Sequence, residues 1–262
     1  MSPIPPSSAR RAGLAVALLL PLAFGAAQAQ SNAPPAFRLL AFGDSLIHGY
    51  GLASGQTLPE RLEAALEARG LVVEVINGGN SGDTTASGRT RLDWTLGEEP
   101  PDLVLVALGG NDALRGLDPA VTYDNLDAIL TRLGEAGAAV LLAGMLAPRN
   151  LGADYTAAFD AVFPRLAEKH GVAFYPFLLD GVAMDPALNQ DDGIHPNAAG
   201  VEVIAGRLAP RLGAMIEALA ERRLQAGGAF DCACAGPNAS SSNATARPAR
   251  RAEDGGMGDM ER

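Results

Sequence analysis

Four short segments of this chain hold residues able to do chemistry together. Gly43-Asp44-Ser45-Leu46 places a hydroxyl at the end of an apolar run. Asp191-Asp192-Gly193-Ile194-His195-Pro196 places a carboxylate and an imidazole three residues apart. A serine hydroxyl is a poor nucleophile near neutral pH until a base within hydrogen-bond reach takes its proton. The base works best when a carboxylate fixes its tautomer and steadies its charge. Ser45, His195 and Asp192 can fill those three roles, the set that covalent attack on an ester needs. The other two segments are Ser81-Gly82-Asp83-Thr84 and Gly109-Gly110-Asn111-Asp112. With the N–H of Ser45, the N–H of Gly82 and the side-chain amide of Asn111 would complete a three-donor oxyanion hole. One such donor contributes on the order of 3 kcal/mol to transition-state stabilisation.

The histidine assignment rests on elimination as well as spacing, because the chain has only three. His170 falls at the end of a predicted helix, where a cation favours the dipole, and reads as structural. His48 follows Ser45 by three residues and reads as a residue of the pocket entrance, with a plain surface position as the alternative. His195 has a carboxylate, Asp192, three residues earlier, close enough to accept from its ring N–H. An isolated Asp-x-x-His is a weak signal, and a Gly-Gly-Asn-Asp after a strand is an ordinary turn. Their value lies in the combination.

The elements that must position these residues follow from hydropathy. Phe37–Phe42, Leu71–Ile76, Leu103–Leu108 and Val140–Met145 are short apolar runs, with Val172–Tyr175 a weaker fifth. Runs of this kind read as buried parallel strands. Helical patterns lie between them at Leu58–Ala68, Pro119–Leu133, Tyr155–His170 and Asn197–Leu219. Such alternation predicts an α/β fold whose parallel sheet is covered on both faces. Open α/β sheets place their sites beyond the carboxyl ends of the strands. Ser45, Gly82 and Asn111 each follow a strand, and Asp192 and His195 precede the last helix, so all five can meet at one sheet edge. Pro148 to Asp154 is expected to form a mobile loop beside them, hinged at Gly152, with Leu146, Leu151 and Tyr155 giving it an apolar face.

The 262 residues, 48% of them hydrophobic, suffice for one well-buried domain and a tail. Residues 1–29 read as a signal peptide: Arg10 and Arg11, an apolar stretch from Gly13 to Gly25, and Ala27-Gln28-Ala29 before the cut. An uncleaved anchor is the alternative, but the run is short for a span and is broken by Pro21. The paired arginines leave both general and twin-arginine export open. Residues 30–36 read as a linker, 37–225 as the catalytic domain and 226–262 as a disordered tail poor in large apolar groups. Without its leader the chain carries 18 basic and 30 acidic residues, net −12. That charge argues against nucleic acid and against adhesion to anionic lipid. The two cysteines, Cys232 and Cys234, lie in the tail, so the catalytic region has neither thiol chemistry nor a disulfide framework.

Taken together, these segments resemble the SGNH, or GDSL-type, hydrolase family, most of all its thioesterase I/lysophospholipase L1 and arylesterase branch. Gly43-Asp44-Ser45-Leu46 matches the nucleophile block, and Asn77 through Thr84 the block with its oxyanion glycine at Gly82. Gly109-Gly110-Asn111-Asp112 matches the asparagine block, and Asp192-Gly193-Ile194-His195-Pro196-Asn197 the acid-and-histidine block. The likeness covers about residues 37 to 220. It implies a three-layer α/β/α sandwich with a flavodoxin-like parallel sheet, and no metal or cofactor. It also implies a small acyl-ester substrate; the leader, which lies outside the resemblance, separately implies a place in the periplasm or outside the cell, with no stable membrane insertion after cleavage. The chain departs from the family at Ile47-His48, where small residues are common.

Two other readings fit less well, and a third stays open. An α/β-hydrolase would carry Gly-x-Ser-x-Gly, and here Leu46-Ile47 replaces the second glycine. A non-catalytic exported binding protein would not need every catalytic role filled. A glycan O-acetylesterase or an acyltransferase would keep the same site and change the acceptor.

Overall fold

The computed structural model describes residues 37–233, with side chains to 226. The expected leader at 1–29, the linker at 30–36 and the tail from Cys234 onward lie outside the described residues.

Five parallel strands form the sheet: β1 (Phe37–Gly43), β2 (Val73–Gly79), β3 (Leu103–Ala107), β4 (Ala139–Ala143) and β5 (Ala173–Tyr175). Their order is β2-β1-β3-β4-β5. β1 pairs with β2 from Phe37↔Val73 to Gly43↔Gly79, and with β3 from Leu39↔Leu103 to Gly43↔Ala107. Central β3 is buried at all five positions, as a strand covered on both faces must be. Edge strand β2 exposes Glu74 and Asn77.

Helices close both faces. α2 (Leu58–Glu67) and α8 (Ala198–Ala233) pack together; α3 (Thr85–Leu96), α5 (Pro119–Glu135) and α7 (Val162–His170) form a second pair of contacts, α3 on α5 and α5 on α7. The result is a three-layer α/β/α sandwich, whose core includes Leu39–Phe42, Leu62, Leu66, Leu126, Phe159, Phe163, Leu208 and Leu212. Three shorter helices complete the described chain: α1 (Ser45–His48), α4 (Gly110–Leu114) and α6 (Ala153–Asp160). Local chemistry fixes the helix starts. Thr57 and Glu60 form a capping box for α2, the Asp118 side chain accepts from Ala120 N at α5, and Asn197 Oδ1 accepts from Ala199 and Gly200 N at α8.

Four elements differ from the expectations. β2 runs on through Asn77-Gly78-Gly79, because pairing with Ala41–Gly43 continues there. The single helix expected over Tyr155–His170 is two, ending at Asp160 and restarting at Val162. Pro164 explains the break, since it has no N–H to offer the carbonyl four residues back and its ring crowds that group. α3 has no expected counterpart: its buried residues are Thr85, Gly88, Leu92 and Leu96, two of them too small or polar to register as an apolar stripe. The last helix continues past 225 to Ala233, so the tail's first residues, Cys232 among them, are helical. Ala, Glu, Arg, Leu and Gln dominate residues 218–226, and all are good helix formers even without a core to fill.

Candidate active site

Order β2-β1-β3-β4-β5 puts a topological switch between β1 and β3, where a crevice opens at the strands' carboxyl ends. Ser45 leaves β1 there as the first residue of α1. Asp44 caps that short helix, its Oδ1 accepting from Leu46 N at 3.0 Å. Gly43 is required by close approach: a Cβ would lie 2.4 Å from Ile47 Cγ1 and 2.5 Å from the Ala107 carbonyl oxygen. The turn into the nucleophile therefore packs directly on β3.

Asp192 and His195 arrive on a loop held at both ends. The Asn189 amide donates to the carbonyls of Val182 and Asp185 at 2.7 and 2.8 Å, and Asn197 N donates to Leu188 O at 2.9 Å. Within the loop, Asp192 Oδ1 accepts from Ile194 N at 2.9 Å and His195 N at 3.0 Å. Its Oδ2 lies 2.6 Å from His195 Nδ1. Across the crevice His195 Nε2 lies 2.9 Å from Ser45 Oγ. The N–H of His195, its ring and the N–H of Ile194 together hold the Asp192 carboxyl down to about 2. It is thus a carboxylate at any pH where the imidazole can act as a base. The neighbouring Asp191 makes no side-chain hydrogen bond among the described residues, in keeping with the choice of Asp192.

Gly82 sits at φ +85°, a left-handed conformation that glycine adopts without strain. Neither its N–H nor that of Ser45 has a hydrogen-bond partner among the described residues. Asn111, on α4 after β3, differs from expectation in one respect. Its amide is already engaged, donating to Asp83 O at 3.0 Å and to Asp44 Oδ2 at 3.3 Å. The longer bond goes to a carboxyl that is 1% exposed. Burial raises the Asp44 carboxyl to about 6, against the lowering effect of the Leu46 N–H, the His195 charge and the Asn111 amide.

Several residues that frame the site carry no local sequence signal. The Tyr50 ring lies 4.7 Å from the His195 ring, centroid to centroid. Gln190 Nε2 bridges the carbonyls of Tyr50 at 2.8 Å and Pro196 at 3.0 Å, joining the nucleophile's segment to the histidine loop. Arg115 donates to Gly82 O at 3.0 Å. Asp112 is buried and accepts from Thr85 N at 2.9 Å, Thr85 Oγ1 at 2.5 Å and Thr122 Oγ1 at 3.3 Å, fixing α4 against the start of α3.

The expected pocket residues have mixed placements. His48 ends α1 and is exposed, with no hydrogen bond to its ring among the described residues. Leu146 and Leu151 are both exposed. The Tyr155 hydroxyl donates to Leu117 O at 2.9 Å and its ring stacks on Phe159, so it braces α6 against the segment after α4. Residues 149–151 form a 3₁₀ turn rather than an open loop, and Asp160 ties it down through Ala147 N at 2.9 Å and Arg149 at 2.8 Å. His170 pairs with Asp127 at 2.7 Å, which Lys169 also holds, and takes no part in the site. No group of three or more potential metal-ligating side chains occurs among the described residues. A cavity of about 380 Å³ lies by Pro100–Asp102 and Leu219–Ala226, beside the start of β3 and remote from this chemistry.

An imidazole nitrogen held 2.9 Å from a hydroxyl, beside two N–H groups without a partner among the described residues, can form and stabilise a tetrahedral adduct at an acyl carbon. Comparison with known proteins agrees with that chemistry. The model of the GDSL-like lipase/acylhydrolase family matches residues 41–203. An arylesterase of Vibrio mimicus is 40% identical over 175 residues, covering 67% of this chain and 88% of that protein. Thioesterase 1/protease 1/lysophospholipase L1 of Escherichia coli K12 is 39% identical over 181 residues, 69% of this chain and 86% of that protein. The crystal structure of AlinE4, an SGNH-hydrolase family esterase, superposes with a TM-score of 0.59 at 45% identity, over 70% of this chain and 97% of that one. With more than half its length matched, the chain belongs to the GDSL-like lipase/acylhydrolase family and is a carboxylic ester hydrolase of the SGNH fold.

Proposed function

We propose that the protein is an exported serine esterase acting on small acyl esters, of the arylesterase, lysophospholipase or acyl thioesterase type. Ser45 Oγ attacks the acyl carbonyl while His195 Nε2 takes its proton. Asp192 keeps Nδ1 protonated and stabilises the imidazolium. The oxyanion is received by the N–H groups of Ser45 and Gly82 and by Asn111, whose amide turns one hydrogen from Asp44 toward the new charge. Collapse expels the alcohol or thiol with the proton from His195, leaving an acyl-Ser45 ester. Water then attacks that ester, His195 again moving the proton, and Ser45 is regenerated. His48, Leu146, Leu151 and Tyr155 border the acyl group.

The observation that carries this reading is the unbroken relay from Asp192 through His195 to Ser45, at 2.6 and 2.9 Å, beside two unbonded backbone donors. The names of the relatives support the substrate classes. The basic and apolar leader of residues 1–29 supports delivery to the periplasm or the exterior. No helix among the described residues is long and apolar enough to cross a membrane.

The test is hydrolysis of p-nitrophenyl esters, a lysophospholipid and an acyl-CoA by the purified protein and by Ser45→Ala, with covalent labelling by a fluorophosphonate. The reading expects turnover that the variant loses and a single adduct on Ser45. Substantial activity in the variant, or labelling at another residue, would overturn it.

A further inference from the structure

Arg91 projects from α3 into the layer beneath the crevice, and its side chain is 19% exposed. Its Nε donates to Asp83 Oδ2 at 2.6 Å, Nη2 to the Gly43 carbonyl at 2.8 Å and Nη1 to Thr95 Oγ1 at 3.1 Å. The guanidinium lies 4.4 Å from the centre of the Phe42 ring. A largely buried ion pair of this kind is weak evidence for stability, because loss of hydration offsets much of its attraction. Its position is more informative than its energy.

Both ends of the guanidinium clamp lead to the oxyanion donors. Gly43 precedes Ser45 by two residues. Asp83 follows Gly82, and its carbonyl accepts from Asn111 Nδ2 at 3.0 Å. The remaining Asp83 oxygen is held by Asn80 Nδ2 at 2.7 Å, and Asn80 N itself donates to Gly43 O at 3.0 Å. All three donors are therefore referenced to one rigid fork bridging the end of β1 and the loop after β2. We propose that Arg91 is a positioning residue that sets the mutual placement of the Ser45, Gly82 and Asn111 donors by clamping Gly43 to Asp83. This rests on the oxyanion hole assigned above. Such donors act only when they stand 2.7–3.1 Å from the place the oxyanion will occupy, so a small slip of the loop weakens all of them together. Arginine suits the task because its planar fork holds two acceptors in fixed relation, which a lysine ammonium does not.

The experiment uses the full chain and a soluble p-nitrophenyl ester, with active sites titrated by an organophosphonate so that rates are per folded site. Arg91→Met lowers kcat by about 10- to 100-fold with KM within about twofold, because the hole acts on the transition state more than on bound ester. Arg91→Lys falls between the two and carries the test where the methionine variant does not fold. Inhibition by phenylboronic acid, which forms a tetrahedral serine adduct, weakens in step with kcat. The double variant Arg91→Met/Asn111→Ala is little slower than Asn111→Ala alone, since both act through one hole. A merely structural role would lower Tm and the titrated fraction while leaving kcat per site unchanged; that result in both Arg91 variants overturns the proposal. Activity surviving Ser45→Ala, or full kcat in Asn111→Ala, would instead remove the hole itself. Slow Asn111→Ala beside full-rate Arg91 variants removes only the clamp.

Discussion

The imidazole of His195 rests against the ring of Tyr50, their centroids 4.7 Å apart and their planes tilted by 41°. Tyr50 follows α1 closely, so the wall beside His195 is built from the same segment as Ser45. Gln190 closes the arrangement by bonding the Tyr50 carbonyl from the histidine's own loop. His195 is thereby held from three sides: by Asp192, by Ser45 and by an aromatic face.

Removing that face should loosen the base. Tyr50→Ala is expected to lower kcat/KM by about 3- to 10-fold, the size of one aromatic contact. Tyr50→Phe should stay near wild type, because the hydroxyl makes no hydrogen bond among the described residues. Steady-state kinetics on a soluble ester decides the matter, and equal losses in the two variants would assign the effect to the hydroxyl instead.

The two adjacent acids should separate cleanly. Asp192→Asn keeps an oxygen for the turn N–H groups but cannot balance an imidazolium, so kcat should fall by roughly the thousands-fold typical of a neutralised triad acid. Asp191→Asn should leave kcat within about twofold, its carboxylate touching nothing in the relay. A comparable loss at Asp191 would mean that the wrong carboxylate has been identified.

The proposed catalytic segments were legible in sequence because each is a run of local chemistry. Ser45, Gly82, Asn111, Asp192 and His195 follow strands or precede a helix, and the 2-1-3-4-5 strand order gathers them at one edge. The supporting residues were not legible because their roles come from distance in sequence. Arg91 reaches Gly43 across 48 positions and Gln190 reaches Tyr50 across 140, with no spacing rule to mark either. α3 was silent for a related reason: Thr85 and Gly88 are buried by the Asp112 bonds and by close packing on Leu108, not by their own hydropathy. Pro164 is a local mark of the break between α6 and α7, which a single helix over Tyr155–His170 passes over.

Asp44 should leave a signature in stability rather than in the base. Its folded carboxyl is raised to about 6 from the ordinary 3.8, chiefly by burial. A raised value means the neutral form favours folding. That contribution is whole below about pH 4 and is lost as pH rises through about 6, by roughly 3 kcal/mol in all. Asp44→Asn removes the titration while retaining an acceptor for Leu46 N. Denaturant unfolding at pH 4 and pH 7 should therefore show the variant gaining on wild type as pH rises. A difference that is constant across that range would show that Asp44 ionises in the fold as it does in the unfolded chain. Asp192 has the opposite sign: its carboxyl is lowered to about 2, so its contribution is present above about pH 4 and fades as pH falls toward 2.

The rim of the crevice bears on the substrate. The segment expected to hinge at Gly152 is a 3₁₀ turn pinned to Asp160 by two hydrogen bonds, one from the Ala147 backbone and one from Arg149. Leu151 on it and Leu146 just before it are exposed, at 37% and 39%. As the proposed rim of the crevice, this pinned apolar segment would cover part of an acyl chain without having to open before substrate enters. Short and medium acyl esters and single-chain lipids should therefore be hydrolysed well in solution, without a jump in rate when substrate forms an emulsion. Leu151→Asp should raise KM for an octanoyl ester by about 5- to 30-fold, the effect of one lost apolar side-chain contact of 1–2 kcal/mol, and leave an acetyl ester nearly unchanged. Asp160→Ala, which releases the pin, should raise KM for the octanoyl ester in the same direction but less. If emulsified triacylglycerol outran soluble esters, or if acetyl and octanoyl esters suffered equally in Leu151→Asp, the rim would not be the acyl surface.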